Sequence, residues 1–316
     1  LWKSGLRLRK LKMPSFDIIA GGILIRIESD RGGDPIEALR RDWSAMIMND
    51  KLRTPDIYIK IHTRNWNEPS PIFLPRDARL IRLGGRKVFT DGKRFFVDYH
   101  ENAFFIIEDN FAEGVCYVQK DLDPLFWTEL SVNQILLLLL RRRNRFFIHG
   151  GGAINSKGTA CIFIGSGGSG KSTSALALLH AGWPFMGDDI LLFDSNFRFY
   201  SFLKRPSASD WTVEKLGLQR LVIGSRTNGK KLIAIKNKAS CSDSFRIFRP
   251  LPSISKNEIR PMNISDIEEI IRSQTRLCDT DEIIAGALPD LKPLYEKCSE
   301  IIVGSLETLS EFLSKI

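Results

Sequence analysis

Alternation of apolar and polar positions dominates the first third of the chain. Phe16 to Ala20 and Ile23 to Glu28 read as two strands broken at Gly21-Gly22, and Asp56 to His62 (DIYIKIH) alternates as a half-buried strand does. Arg86 to Thr90, the turn Asp91-Gly92 and Lys93 to Tyr99 form the clearest hairpin. Ala103 to Glu108 and Gly114 to Val118 continue as strands. Pro35 to Met48 departs from that period. It carries Ile36, Leu39, Trp43, Met46 and Ile47 at helical spacing, with Arg40 and Arg41 opposite, so it predicts a helix with its Trp and Met in the core. Residues 14–122 are therefore expected to form an antiparallel α+β domain, serving either for recognition and docking or as a brace. Residues 1–13 (LWKSGLRLRKLKM) form a basic arm, read as a packed terminus or as an amphipathic contact with a membrane or partner.

The pattern changes after Asp123. That residue can cap a helix from Pro124 to about Arg143. Its end, Leu136 to Leu140, is apolar on all sides and predicts burial between domains. Arg141, Arg142, Arg143 and Arg145 follow, suited to the helix dipole or to an anionic ligand. Arg145 to Ile154 and Thr159 to Ile164 (TACIFI) are β-like runs joined by Asn155-Ser156-Lys157-Gly158, which predicts an antiparallel hairpin. Thr173 to His180 has helix formers and stops at Gly182. Farther on, Phe197 to Lys204, Lys231 to Lys236 and Phe245 to Phe248 read as strands, and Ser209 to Leu216 as a short helix around Trp211. The C-terminal third reads as helices over Ile264–Arg272, Glu282–Leu288, Pro293–Ser299 and Leu306–Lys315, interrupted by a strand at Ile301–Val303.

Between the second β-run and its helix lies Gly165-Ser166-Gly167-Gly168-Ser169-Gly170-Lys171-Ser172, which fits G-x-x-x-x-G-K-[ST] at every fixed position. Strand, glycine loop and helix are the context the motif needs. Backbone N–H groups must approach a phosphate chain closely, so the glycines leave room, and the helix N-terminus favours the anion. In this reading Gly165 to Thr173 cradle a nucleoside triphosphate, Lys171 reaches its β- and γ-phosphates, and the Ser172 hydroxyl ligates Mg²⁺. In Gly187-Asp188-Asp189, Asp188 comes 17 residues after Lys171, a shorter gap than most P-loop NTPases leave before their second acidic motif. Two adjacent carboxylates can divide the work of general base and metal ligand. A solvated turn is the bland alternative, and His149 has one too, as a packed strand histidine.

His149-Gly150, the P-loop and the tandem Asp pair close behind it resemble the catalytic domain of HPr kinase/phosphorylase and the HPr-kinase-related kinases, including those found beside PqqD-like and lasso-peptide maturation proteins. The resemblance covers about Phe147–Asp194. It continues weakly through Lys204-Arg205-Pro206 and Gly229-Lys230-Lys231. It implies an α/β P-loop kinase domain over 123–316, with an antiparallel hairpin before the loop. It implies that Asp188 is the general base toward a serine hydroxyl, and that Ser172 and Asp189 hold Mg²⁺. It implies that His149 lies near Asp188 and the γ-phosphate, and that Arg205 and Lys231 stabilise transition-state charge. The sequence departs at Gly187, where Ser or Ala is usual. It also carries no clear copy of the C-terminal signature of the reverse, phosphorolytic reaction, so that second activity is not carried over. The expected activity is ATP-dependent transfer to a hydroxyl, chiefly serine of a protein or peptide, with a ribosomally made precursor as a specific version. A small-molecule acceptor on the same site and a non-catalytic nucleotide switch are the rivals.

Composition bounds this picture. Of 316 residues, 43% are apolar and 26% charged, the balance of a globular protein. Ile135 to Leu140, the longest apolar run of interest, falls far short of the ~20 residues that span a bilayer. No secretory h-region is seen near the start. Cys116, Cys161, Cys241, Cys278 and Cys298 are scattered and odd in number, which predicts free thiols in a reducing cytoplasm and no zinc site. The net charge of +9 fits an acidic protein or peptide partner. No aromatic-rich RNA motif or helix-turn-helix signature points to nucleic acid. A homo-oligomer stays open.

Overall fold

The computed structural model describes residues 14–30, 34–48, 53–65, 74–82, 87–99, 103–119, 132–275 and 284–316. The basic arm at 1–13, the first part of the helix expected from 124, and the start of the one expected at 282–288 lie outside the described residues. The protein is mixed α/β, with several sheets and mostly strand.

The first sheet holds β1 (Ser15–Ala20), β2 (Ile23–Ser29), β3 (Ile47–Met48), β4 (Ile57–Arg64), β5 (Arg79–Arg82), β6 (Lys87–Thr90), β7 (Arg94–Tyr99), β8 (Ala103–Glu108) and β9 (Glu113–Gln119). Their order is β3-β1-β2-β4-β9-β8-β7-β6-β5. The hairpins are antiparallel as their turns predict, but β2, β4 and β9 run parallel at the centre of the expected largely antiparallel sheet. The reason is topological. Helix α1 (Asp34–Asp42) separates β2 from β4, and a helix crossover returns the chain in the same direction. The expected helix to Met48 stops at Asp42. Trp43 and Met46 are buried as predicted, yet they sit in a turn closed by Met46 N–H donating to the Trp43 carbonyl (2.8 Å).

Helix α2 (Asn133–Arg141) is buried at all nine positions. It packs on β9 and on β10 (Phe146–Ile148), and one apolar cluster runs from the first sheet through α2 into the P-loop helix. The arginines after α2 tie the two halves together. Arg143 donates to the carbonyls of Asp56 (2.8 Å) and Phe111, and Arg145 donates to the Gly21 carbonyl (2.6 Å) while lying 4.3 Å over the Tyr200 ring. Arg142 donates to the Ile284 carbonyl. These arginines therefore hold backbone; none lines the cleft at the P-loop described below.

The remaining chain forms β11 (Gly150–Ile154), β12 (Thr159–Ile164), α3 (Lys171–His180), β13 (Phe185–Gly187), β14 (Leu191–Phe193), β15 (Phe199–Tyr200), β16 (Ser207–Ala208), α4 (Asp210–Lys215), β17 (Val222–Ser225), β18 (Lys231–Ile233), β19 (Cys241–Ser242), β20 (Ser244–Pro252), β21 (Glu258–Arg260), α5 (Ile264–Gln274), α6 (Lys292–Tyr295), β22 (Cys298–Val303) and α7 (Leu309–Ser314). The main sheet here has the order β13-β11-β12-β20-β22-β21, with β12, β20 and β22 parallel and β11 antiparallel to β12. A smaller antiparallel sheet has the order β10-β14-β15-β19, and a third the order β16-β18-β17. The C-terminal third is less helical than its pattern suggests. The strand expected at Ile301–Val303 is present but starts at Cys298, where pairing with β20 replaces the end of the helix expected over Pro293–Ser299. Among the described residues no helix is long and apolar enough to cross a membrane.

Candidate functional site

The sequence predicts one strand from Arg145 to Ile154, and the structure breaks it at His149. β10 pairs with β14 in the small sheet, while β11 pairs with β13 in the main sheet. The chain therefore changes sheets twice, side by side: at His149, and at Asp188-Asp189-Ile190. Both crossing points carry site residues. A strand that leaves one sheet for another gives up its ladder at the crossing, which frees its side chains to face a cleft.

The glycine loop lies beside this seam. Gly165, Gly168 and Gly170 have φ of 146°, 78° and 95°, backbone that L side chains rarely adopt. A Cβ added at Gly167 or Gly168 would meet nothing within 4 Å, so the loop borders an open concavity. Lys171 is 8% exposed, and its Nζ donates to the carbonyls of Gly165 (2.8 Å) and Ser166 (3.0 Å). Burial lowers its pKa, while Asp188 and Asp189 oppose that shift. The Ser169 hydroxyl is buried without a hydrogen-bond partner among the described residues.

Asp188 and Asp189 diverge although they are neighbours. Asp188 is 4% exposed and hydrogen-bonds to the Ser172 hydroxyl. Burial, reinforced by Asp189, pushes its carboxyl up to about 7, against the pull of Ser172 and Lys204. Asp189 adopts φ of 68°, a left-handed conformation that costs a non-glycine residue roughly 1–3 kcal/mol. That turn leaves its carboxylate 46% exposed and 3.4 Å from Nζ of Lys204, whose side chain is 3% exposed. Burial raises the Asp189 pKa, but Lys204, then His149 and Lys230, outweigh it and hold the carboxyl below its usual value. Desolvation in the cleft and the charge of Lys171 lower the pKa of His149, and Asp189 opposes them. The Gly187 that precedes the pair is a steric necessity. A Cβ there would stand 2.7 Å from the Ile190 carbonyl oxygen and 2.9 Å from that of Phe202. Gly151 lies under the acid, and its Cβ would meet Asp188 Oδ1 at 3.2 Å.

A cavity of about 580 Å³ opens at this point, walled by Asn133, His149, Asp189, Lys204, Arg226 and Lys230 together with Gly165 to Gly167. Asn133 is 4% exposed, and its Oδ1 has no hydrogen-bond partner among the described residues. Two candidate charge stabilisers lie elsewhere. Arg205 donates from Nε to the Ser44 hydroxyl (3.2 Å), and its backbone N–H donates to the Asp42 carbonyl, so it faces the first sheet. Lys231 pairs with Asp210 at 3.5 Å. Their sequence neighbours Lys204 and Lys230 line the cavity instead, because successive side chains of extended backbone point to opposite sides. Sequence reasoning also passed over Arg226, which no motif marks. Its buried guanidinium reaches Asp42 Oδ2 at 3.1 Å.

The residues fit a nucleoside triphosphate with Mg²⁺. The concavity beside the loop, the orphaned Ser169 hydroxyl and the loop's positive-φ glycines match a bound polyanion. Ser172, Asp188 and Asp189 form a hard oxygen donor set. Among the described residues no group of three or more His, Cys, Asp or Glu is gathered for a metal. No family model matches this chain and no curated protein matches it, so its function must be argued from these residues and their geometry.

Proposed function

We propose that this protein is a Mg²⁺-dependent kinase that moves the γ-phosphoryl group of ATP, or of another nucleoside triphosphate, to a hydroxyl, chiefly a serine of a protein or peptide. One observation carries the reading. The first part of the glycine loop, Gly165 to Gly167, lines the same cavity as Asp189 and the buried Lys204, while Lys171 donates to the loop carbonyls behind it and the buried Asp188, next to Asp189, hydrogen-bonds to Ser172. When bound, the nucleotide supplies the transferable phosphoryl group, and Mg²⁺ neutralises its developing charge.

The chain's own residues do the rest. The loop N–H groups and Lys171 hold phosphate oxygens in place. Ser172 and Asp189 are the oxygen ligands for the metal, and the depressed pKa of Asp189 keeps it anionic. Asp188, with its carboxyl near 7, accepts the acceptor hydroxyl's proton at neutral pH; separated pKa values in an adjacent pair divide base from permanent anion. Lys204 and Lys230 add positive charge at the cavity where the acceptor enters. The cavity's volume of about 580 Å³ also suits a hydroxylated small molecule, the second reading.

A transfer assay with γ-labelled ATP and Mg²⁺, run on cell extract and serine-containing peptides, tests the proposal. Label should reach protein or peptide with wild type and not with Asp188→Asn, which should still bind ATP. Label confined to a small-molecule fraction changes the acceptor class. Label found only as free phosphate, or Asp188→Asn transferring at the wild-type rate, defeats the proposed mechanism.

A further inference from the structure

A second cavity, of about 610 Å³, lies on the far side of the glycine loop. The two cavities divide the loop between them. Gly165 to Gly167 line the one that holds Asp189 and His149, while Gly168, Ser169, Gly170 and Thr173 line the other. Glu307 is the one carboxylate among the residues that line this second cleft. Its walls are largely apolar: Pro250, Pro252, Ile254, Val303 and Leu306, with Trp211 across from them. Trp211 is 62% exposed and Ile254 fully exposed, among the few large apolar side chains that the described residues leave open to solvent. An exposed Trp beside a concave apolar wall marks a binding surface more than a packing defect.

The cleft is built firmly. Ser209 caps α4 by accepting the Thr212 N–H (3.2 Å), and the Thr212 hydroxyl lies 3.4 Å from that of Thr173 in the first turn of the P-loop helix. The α4 backbone that carries Trp211 is thereby tied to the P-loop helix. On the opposite wall Asn257 Oδ1 accepts the N–H groups of Gly304 (2.9 Å) and Ser305 (3.0 Å), while its Nδ2 donates to the Ser305 carbonyl (3.0 Å). Lys215 and Glu307 approach to 3.9 Å across the mouth. The Ser169 hydroxyl, buried and without a hydrogen-bond partner among the described residues, belongs to this side of the loop.

We infer that the nucleoside half of the triphosphate lies in this cleft, with its base stacked on the Trp211 indole. The inference rests on the kinase reading above and extends it. The γ-phosphate must face Asp188 and Asp189, where the proton is accepted, so the α-phosphate and the nucleoside leave the loop at its other end. That end opens onto Trp211. Every base offers a π-face, so stacking holds the nucleoside without reading its edge. Purine triphosphates differing only in their edge groups should therefore compete with similar affinity.

Binding measured by calorimetry, with ATP and with inorganic tripolyphosphate in Mg²⁺, tests this. Trp211→Ala should weaken ATP about tenfold, which equals about 1.4 kcal/mol, and leave tripolyphosphate unchanged. Trp211→Phe should recover most of the loss. An exposed Trp leaves little core behind when removed, and an unchanged melting temperature checks that the variant is folded. Equal weakening of both ligands, or ATP affinity within twofold of wild type, overturns the inference. Tripolyphosphate binding by the wild type with no gain from the nucleoside sinks the Trp211 site alone. Absence of binding for both ligands sinks it together with the P-loop reading.

Discussion

The buried pair Asp42–Arg226 joins α1 in the first sheet to the turn that carries Asn228 and Lys230 into the cavity, and its removal gives a sharp prediction. The N···O distance is 3.1 Å, and the side chains are 7% and 6% exposed. At an effective dielectric constant of about 20, two unit charges at that distance attract by about 5 kcal/mol. Desolvation of both ions offsets much of this, so the intact pair adds little net stability. Breaking it from one side is different, because the remaining ion stays buried and loses the Asp42–Arg226 attraction. Asp42→Ala should therefore lose about 3–5 kcal/mol. Arg226 would keep its bond to the Arg205 carbonyl (3.2 Å). Asp42→Leu combined with Arg226→Met, which removes both charges and keeps volume, should cost clearly less than the sum of the single changes. Urea unfolding at pH 7 measures all of these. Because the pair is dry, the loss should persist in 0.5 M salt, where an exposed pair would already be screened. A loss below 1 kcal/mol for Asp42→Ala, or strict additivity in the double variant, would refute the reasoning.

Other outcomes follow from single positions. Gly187→Ala forces a methyl against two carbonyl oxygens at 2.7 and 2.9 Å, so backbone must move. The melting temperature should fall and ATP affinity weaken with it, whereas Gly182→Ala, which meets no atom within 4 Å at a φ of 88°, should pay only the backbone strain. In the β6–β7 turn, burial raises the Asp91 pKa, but the N–H groups of Lys93 and Arg94 and the Arg94 guanidinium outweigh it and hold the carboxyl low. A depressed folded pKa stabilises above the unfolded value of about 3.9 and fades as pH falls through the folded one. Asp91→Asn should accordingly be less stable than wild type at pH 7, and the gap should close on acidification below pH ~4 in thermal melts. Among the described cysteines, Cys241 is half-exposed, while Cys116, Cys161 and Cys298 are buried, with burial pushing the Cys161 thiol up to about 12. A thiol reagent added to native protein should modify Cys241 quickly and those three only on unfolding, as peptide mapping would show.

How much of the protein its sequence determined depends on the range over which each feature is encoded. The glycine loop is local, since its strand, its positive-φ glycines and its helix lie within 22 residues of one another, from Thr159 to His180. The β11–β12 hairpin and the apolar run Ile135–Leu140 of α2 are legible for the same reason, because turn residues and side-chain period speak for themselves. What reaches across the chain is not. Which of two adjacent cations enters the cavity, Lys204 or Arg205 and Lys230 or Lys231, depends on where extended segments with no long periodic run happen to start. The parallel centre of the first sheet depends on a crossover, and the sense of a crossover is fixed by packing. His149 reads as mid-strand because Arg145 to Ile154 is uniformly β-favouring, yet β14 and β13 pull its two halves into different sheets. The arginines after α2 look like anion ligands in sequence. In the folded protein they satisfy carbonyls of the first sheet, because buried backbone oxygens need donors wherever those donors come from. The divergence of Asp188 from Asp189 belongs to the same class. Two identical side chains become different acids only through the burial and the neighbouring charges that tertiary structure supplies.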